Sequence, residues 1–253
     1  MVNKSTPPGF GLMIIGSEIL DGRVQDSHFE NTKKLLFERN YPLIYSIIII
    51  DDPVLITEKL RWAIKRPEPF FCCGGIGSTP DDYTRQSAAK AFNLPLEFHE
   101  EGVKILKERF GKRAKGAVLQ MVEFPKGSIL IPNPFNQIPG FSIGKGYFLP
   151  GFPSMAGPMT AWVLDTYYEP GEKRISKTLI LPGAREADLV EIMETFIKDH
   201  PLLQFSSLPR FVSKGTEVRL GIVGNEDGVE KGFEDLKAML DVKGYQWQEK
   251  ISK

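Results

Sequence analysis

Three apolar runs separated by helix-like stretches constrain this chain more than anything else in it. Phe10–Gly16 is continuously apolar and ends in glycine, and Leu43–Ile50 is rich in β-branched residues. Pro69–Cys73 is a third run and leads straight into Gly74-Gly75-Ile76-Gly77-Ser78-Thr79-Pro80-Asp81-Asp82. Runs without polar alternation suit strands buried on both faces. Helix signals lie between them. Residues 27–39 carry a weak apolar stripe through Phe29, Leu35 and Leu36, and Asp52-Pro53 opens a helix to about Lys65 with proline at its first position. Further helices are predicted from about Asp81 to Phe92 and from about Glu100 to Phe110. This alternation predicts an α/β fold, a parallel sheet covered on both faces. In such a sheet ligands bind beyond the carboxyl ends of the strands, where the glycine segment falls.

From Ser128 to Pro158 the chain is dense in proline and glycine, with strand candidates at Ser128–Ile131 and Gly146–Leu149. Apolar runs between the prolines argue against a flexible linker and for loops that hold backbone groups in place. Glu169-Pro170-Gly171-Glu172 reads as a boundary, giving domains 1–169 and 170–253. Beyond it the signals run strand (Arg174–Leu181), helix (Arg185–Lys198), strand (Leu203–Val212), strand (Glu217–Val223), helix (Val229–Leu240), strand (Gly244–Gln248). That order is the split-βαβ, ferredoxin-like arrangement of a small α+β domain.

Charge narrows the partners. The chain has 32 basic and 32 acidic residues, and 13 basic against 14 acidic after Glu169, so neither part has the basic excess that simple electrostatic nucleic-acid binding needs. No apolar run approaches the ~20 residues of a membrane span. The amino-terminal apolar run is short and glycine-broken, unlike a signal segment. Cys72 and Cys73 are adjacent, poor geometry for a disulfide, and read as strand core. His28, His99 and His200 are too scattered for a zinc site. A cytoplasmic protein is expected.

The glycine segment carries the chemistry. Glycines after a strand let the backbone approach an anion, and a following helix start offers free N–H groups. Asp81 or Asp82 caps that helix, or one of them faces a divalent cation bridging to phosphate oxygens. The segment is not a P-loop, because no Gly-Lys-Ser/Thr follows, and it does not match the dinucleotide fingerprint. No G-x-S-x-G elbow is present.

Gly74–Thr84 resembles the glycine-rich signature of the molybdopterin-binding MoaB/Mog superfamily, and the whole chain resembles the amino-terminal region of the CinA (competence/damage-inducible) proteins. Gly16-Ser17-Glu18-Ile19-Leu20-Asp21-Gly22, Pro132-Asn133-Pro134 with Pro139-Gly140-Phe141, and Leu149-Pro150-Gly151-Phe152-Pro153-Ser154 with Pro158-Met159 match further family segments in order. The resemblance implies a three-layer MoaB/Mog-like sandwich with a mostly parallel sheet, followed by the small ferredoxin-like domain. It implies a phosphate-bearing ligand: molybdopterin, ADP-ribose or another nucleotide. It also implies pyrophosphate hydrolysis assisted by Mg²⁺, Mn²⁺ or Co²⁺, with no cofactor tightly held. Glu18, Asp81 and Asp82 are the expected catalytic carboxylates, with Asp81 and Asp82 toward the metal. Gly74, Gly75, Gly77, Ser78, Thr79, Asn133, Gly151 and Ser154 are the expected ligand contacts. A homodimer is expected, since relatives of this family form oligomers. The amidase domain that other CinA proteins add at their carboxy terminus has no room before Lys253, so deamidase activity is not expected.

Three departures stand against the match. Asp26-Ser27-His28-Phe29 replaces an asparagine-rich segment, Phe135-Asn136-Gln137-Ile138 replaces a Gly-Thr loop, and Met155 and Gly157 stand where the family carries Glu and Lys. The phosphate cradle is kept while its far side is altered. Two classes of function therefore stay open, an enzyme (a metal-dependent nucleotide pyrophosphatase, or a step acting on molybdopterin) and a non-catalytic pterin- or nucleotide-binding module, with a role in molybdenum cofactor biosynthesis as a further alternative.

Overall fold

The computed structural model describes residues 5–212 and 215–250. The first four residues of the amino-terminal segment considered above lie outside them. The chain forms two compact units, one through Gly171 and one from Glu172 onward.

In the first unit β1 (Phe10–Ile15) leads through a single turn, α1 (Ser17–Leu20), to α2 (His28–Phe37), β2 (Leu43–Ile49), α3 (Pro53–Ile64) and β3 (Phe70–Cys73). Asp52 caps α3 by accepting the Leu55 amide at 2.7 Å, with Pro53 in the first turn. Then come α4 (Thr84–Phe92), β4 (Leu96–Phe98), α5 (Glu100–Phe110), the short α6 (Ala117–Gln120) and β5 (Glu123–Pro125). β6 (Ile129–Ile131), β7 (Gly140–Ile143), β8 (Gly146–Leu149) and α7 (Pro153–Tyr167) complete it. The sheet order is β2-β1-β3-β8-β7-β6. β2, β1, β3 and β8 run parallel, and β7 is antiparallel to both its neighbours.

Strand pleat explains why the runs of β1 and β3 do not alternate with polar residues, whereas the run of β2, expected to be buried on both faces, lies at the sheet edge and leaves Ile44, Ser46 and Ile48 exposed. Phe10, Leu12 and Ile14 point to one face, where they pack with Phe71, Cys73 and Leu149 beneath α2 and α7. Met13 and Ile15 point to the other, with Phe70, Cys72 and Phe148 beneath α3, α4 and α5. Both faces are covered, so the expected three-layer sandwich is present.

The second unit runs β9 (Arg174–Pro182), α8 (Val190–Asp199), β10 (Gln204–Val212), β11 (Gly215–Asn225), α9 (Glu226–Val242) and β12 (Gln248–Glu249). Its sheet is antiparallel, ordered β10-β11-β9-β12, and its helices close one core around Leu179, Phe196, Leu220 and Phe233. This is the ferredoxin-like order.

Three local expectations are corrected. α4 begins at Thr84 rather than Asp81, because Asp82 folds back onto Thr79 and closes a turn ahead of the helix. Gly140–Ile143, between the two strand candidates of the stretch read as proline- and glycine-rich loops, forms the strand β7, with Phe141 fully buried and stacked on Phe148 at 4.5 Å. Residues before Val190 form a 3₁₀ turn (Glu186–Leu189) rather than the start of α8.

Candidate functional site

The carboxyl ends of β1, β3 and β8 deliver Gly16, Gly74 and Gly151 to one edge of the sheet. There a cleft of about 730 Å³ opens. Two close approaches shape its floor. Gly74 has φ +104°, and a Cβ there would stand 2.0 Å from the Ile15 carbonyl oxygen. A Cβ on Gly151 would come within 3.3 Å of the Gly74 Cα. Glycine is thus needed at Gly74 for conformation and for room.

The loop after β3 is held from behind by the first two residues of α4. The Thr84 hydroxyl donates to the Gly74 carbonyl at 2.9 Å, and the Thr84 amide donates to the Gly75 carbonyl at 2.9 Å. Arg85 Nε donates to the Gly77 carbonyl at 3.1 Å. A trans peptide points its C=O and N–H in opposite directions. Drawing these carbonyls toward α4 therefore turns the N–H groups of Gly75, Ile76 and Ser78 away from it. Among the described residues no acceptor takes the amides of Gly75, Ile76, Gly77 or Ser78, and all four residues line the cleft. Two of the expected donors are spent. The Gly74 amide donates to the Leu149 carbonyl at 3.0 Å, and the Thr79 amide to Asp82 Oδ2 at 2.8 Å.

Four carboxylates share this cleft: Glu18, Asp51, Asp81 and Asp82. Asp82 also accepts the Thr79 hydroxyl. Neither aspartate caps α4, whose N-cap is Tyr83. Glu18 folds over Gly16, where a Cβ would lie 2.7 Å from its Oε1. Asp51 lies just beyond β2 and accepts the amide of Ser17 at 2.7 Å and its hydroxyl at 2.8 Å. Among the described residues no Lys, Arg or His lines the cleft. Among the described residues no group of three His, Cys, Asp or Glu side chains is placed to hold a metal ion. The carboxylates present fit a cation that takes one or two of them and completes its shell from phosphate and water, as Mg²⁺ commonly does.

Asn133 lines the far wall, 4% exposed, with Oδ1 accepting the Phe135 amide at 3.0 Å. Its Nδ2 is buried without a partner among the described residues, an unmade bond of the kind a ligand acceptor satisfies. Asn136 and Met155, both at positions of departure, meet in the same wall, Nδ2 donating to Sδ at 3.4 Å. Phe152, 64% exposed, also lines the cleft. Ser154 does not. It is exposed in the first turn of α7, whose N-cap is Phe152. Phe135 is exposed outside the lining, and Gly157 faces open space.

Asp26 and His28, in the other departure, serve the fold. Asp26 accepts the amides of His28 and Phe29 at 3.0 Å and lies 2.8 Å from His28 Nδ1. Burial pushes its carboxyl up, but those amides and the His28 ring more than reverse this and hold it below the ordinary value. Both cysteines are buried in β3; burial raises Cys72 strongly and brings Cys73 to about 12.

Sequence reasoning missed Asp51, Ile76 and Arg85. Asp51 followed a strand, the one signal available for it. Arg85 follows Thr84 on a helix that sequence reasoning began three residues earlier. It is 3% exposed, and its Nη1 also donates to the carbonyls of Gln120 at 2.5 Å and Glu123 at 3.2 Å.

Comparison with known proteins places these features. Residues 11–169 match the family model described as a probable molybdopterin binding domain. A putative competence-damage inducible protein of Clostridium kluyveri is 30% identical over 202 residues, covering 74% of this chain and 48% of that protein. A CinA-like protein of Citrifermentans bemidjiense is 32% identical over 212 residues, covering 79% and 50%. The chain thus spans about half the length of these relatives. The crystal structure of a CinA protein of unknown function from Thermoplasma acidophilum superposes with a TM-score of 0.57 at 24% identity, covering 62% of this chain and 97% of that one. No helix among the described residues is long and apolar enough to cross a membrane.

Proposed function

Since the chain belongs to the molybdopterin-binding domain family, we propose that its cleft binds the phosphate end of a phosphorylated pterin or nucleotide, as the complex with a divalent cation. One observation carries this reading: Gly75, Ile76, Gly77 and Ser78, whose amides are unbonded, line a cleft whose charged side chains among the described residues are all carboxylates. Converging N–H groups favour an anion. Four carboxylates oppose it, each worth about 1 kcal/mol at 4 Å even in bulk water and more in a cleft. The two tendencies agree only if a cation comes with the phosphate. Asp81 and the second oxygen of Asp82 would hold it at the rim. Asn133 Nδ2 and the Phe152 ring suit the planar end of the ligand, one as donor and one as stacking surface.

The test is an amide-resolved NMR titration with magnesium pyrophosphate. Gly75, Ile76, Gly77 and Ser78 shift together if the reading is right. Shifts spread over the surface and absent from these four amides would end it.

Hydrolysis is the second reading, favoured by Glu18 and Asp51 standing at the same sheet edge. A divalent cation would supply charge neutralisation and an acidified water. Glu18 would take up the proton and the loop amides would hold the departing phosphate. Incubation with ADP-ribose or FAD and Mg²⁺, Mn²⁺ or Co²⁺, followed by product analysis, decides it. Unchanged dinucleotide with demonstrated binding leaves a non-catalytic module, consistent with Met155 and Gly157 replacing the Glu and Lys of the family.

A further inference from the structure

Arg85 is the buried cation nearest the cleft, and it does not line it. Its guanidinium donates to three carbonyls: Gly77 on the loop after β3, Gln120 at the end of α6 and Glu123 at the start of β5. Met121, between those two acceptors, lines the cleft as Gly77 does. One side chain therefore ties together two segments that both reach the cleft. Carbonyls are neutral acceptors and leave its charge in place. The nearest carboxylate is that of Glu123, at 3.8 Å and off the hydrogen-bonding fork. Burial draws the Arg85 pKa down while Glu123 and Asp82 push it back, and a guanidinium stays charged in either case.

We propose that Arg85 is the positioning residue of the anion cradle, fixing the Gly77–Ser78 peptide with its N–H turned outward and placing a positive charge directly behind a cleft lined by carboxylates. This rests on the phosphate-binding reading above and adds to it which residue sets the affinity. The charge acts on bound phosphate across the loop without touching it. Arg85 itself is buried and its guanidinium is separated from the cleft by the peptide groups it holds, so its charge is screened less than one in bulk water. Glu123 opposes Arg85 electrostatically while its main-chain carbonyl helps to hold the guanidinium. Removing its charge therefore separates field from scaffold.

The experiment titrates magnesium pyrophosphate into the full chain and into R85Q, R85K and E123Q by calorimetry, at two salt concentrations, with circular dichroism on each protein. R85Q is expected to bind at least tenfold more weakly (about 1.4 kcal/mol) and to lose part of the salt dependence. R85K keeps the charge without the planar fork and should fall between wild type and R85Q. E123Q keeps the backbone acceptor and should bind severalfold more tightly, which a purely structural clamp would not produce. A folded R85Q within twofold of wild type overturns the inference. So does E123Q binding no better than wild type, a criterion that stands even if R85Q does not fold. Wild type failing to bind magnesium pyrophosphate at all would remove the phosphate reading, and this inference with it.

Discussion

Replacing Gly74 by alanine tests whether the path of the cradle is dictated by the close approach of β3 to β1. Two costs are legible. Gly74 sits at φ +104°, and a side chain in the left-handed region costs about 1–2 kcal/mol. The new Cβ would lie 2.0 Å from the Ile15 carbonyl oxygen, where ordinary contact begins at 3.4 Å, so β1 or the loop must give way by about 1.4 Å. That movement strains the Gly74–Leu149 hydrogen bond, worth about 1 kcal/mol net. The total is about 2–3 kcal/mol, a large part of the ~5–15 kcal/mol by which a domain is stable. Gly127→Ala is the control. Gly127 has φ +79° with nothing within 4 Å of its would-be Cβ, so it bears the conformational cost alone. Urea unfolding followed by far-ultraviolet circular dichroism reads both. At a slope of about 1.5–2 kcal/mol per molar, within the usual range, Gly74→Ala should lower the midpoint by about 1–2 M, and Gly127→Ala by clearly less. Equal losses in the two variants would show that the contact with Ile15 does not constrain the loop.

Other outcomes follow from the same geometry. Gly157→Ala should stabilise the protein by up to about 1 kcal/mol in the same urea assay, since it replaces glycine inside α7 where the Cβ meets open space. Asp26→Asn should destabilise by about 1–2 kcal/mol near neutrality. The folded carboxyl of Asp26 titrates below 3.8, so its contribution is present above that pH and is lost as pH falls through the lower folded value. The gap between wild type and variant should close over that range in urea titrations, and a gap constant with pH would refute the assignment. A thiol reagent at pH 8 should find neither cysteine until the protein is unfolded, because burial holds both thiols far from ionisation. The homodimer rests on the family resemblance alone: if that expectation is right, light scattering at micromolar concentration gives twice the 28.4 kDa chain mass, and a particle of the single mass counts against it.

The layers of the fold were legible because the strands are buried on both faces, which leaves uninterrupted apolar runs such as Phe10–Ile15. β7 was not. Gly140–Ile143 is short and flanked by the proline and glycine that mark turns, and β8, with which it pairs, secures it as a strand. The cradle was legible in position, since glycines after a strand signal a backbone approach. Its donors were not, because which amides stay free depends on where Thr84 and Arg85 pull the carbonyls. The roles of Asp81 and Asp82 diverged for a similar reason. Two adjacent acids look alike in sequence, but Asp82 folds back to accept the Thr79 amide, while Asp81 stands exposed at the rim, its carboxyl held below the ordinary value by the Thr79 hydroxyl and its own amide. Ser154 matched a family segment, yet the first turn of α7 leaves it outside the lining.

The central claim is that this cleft takes phosphate together with a divalent cation, and one calorimetric comparison tests it. ADP-ribose is titrated into wild type and into the D81N/D82N double variant, with Mg²⁺ and with chelator. Asparagine caps and accepts much as aspartate does, so the Thr79 turn should survive while the charge is lost. Wild type should bind in Mg²⁺ and at least tenfold more weakly in chelator, and the double variant, folded by circular dichroism, should lose most of that difference. Equal wild-type affinity with and without Mg²⁺ would contradict the account.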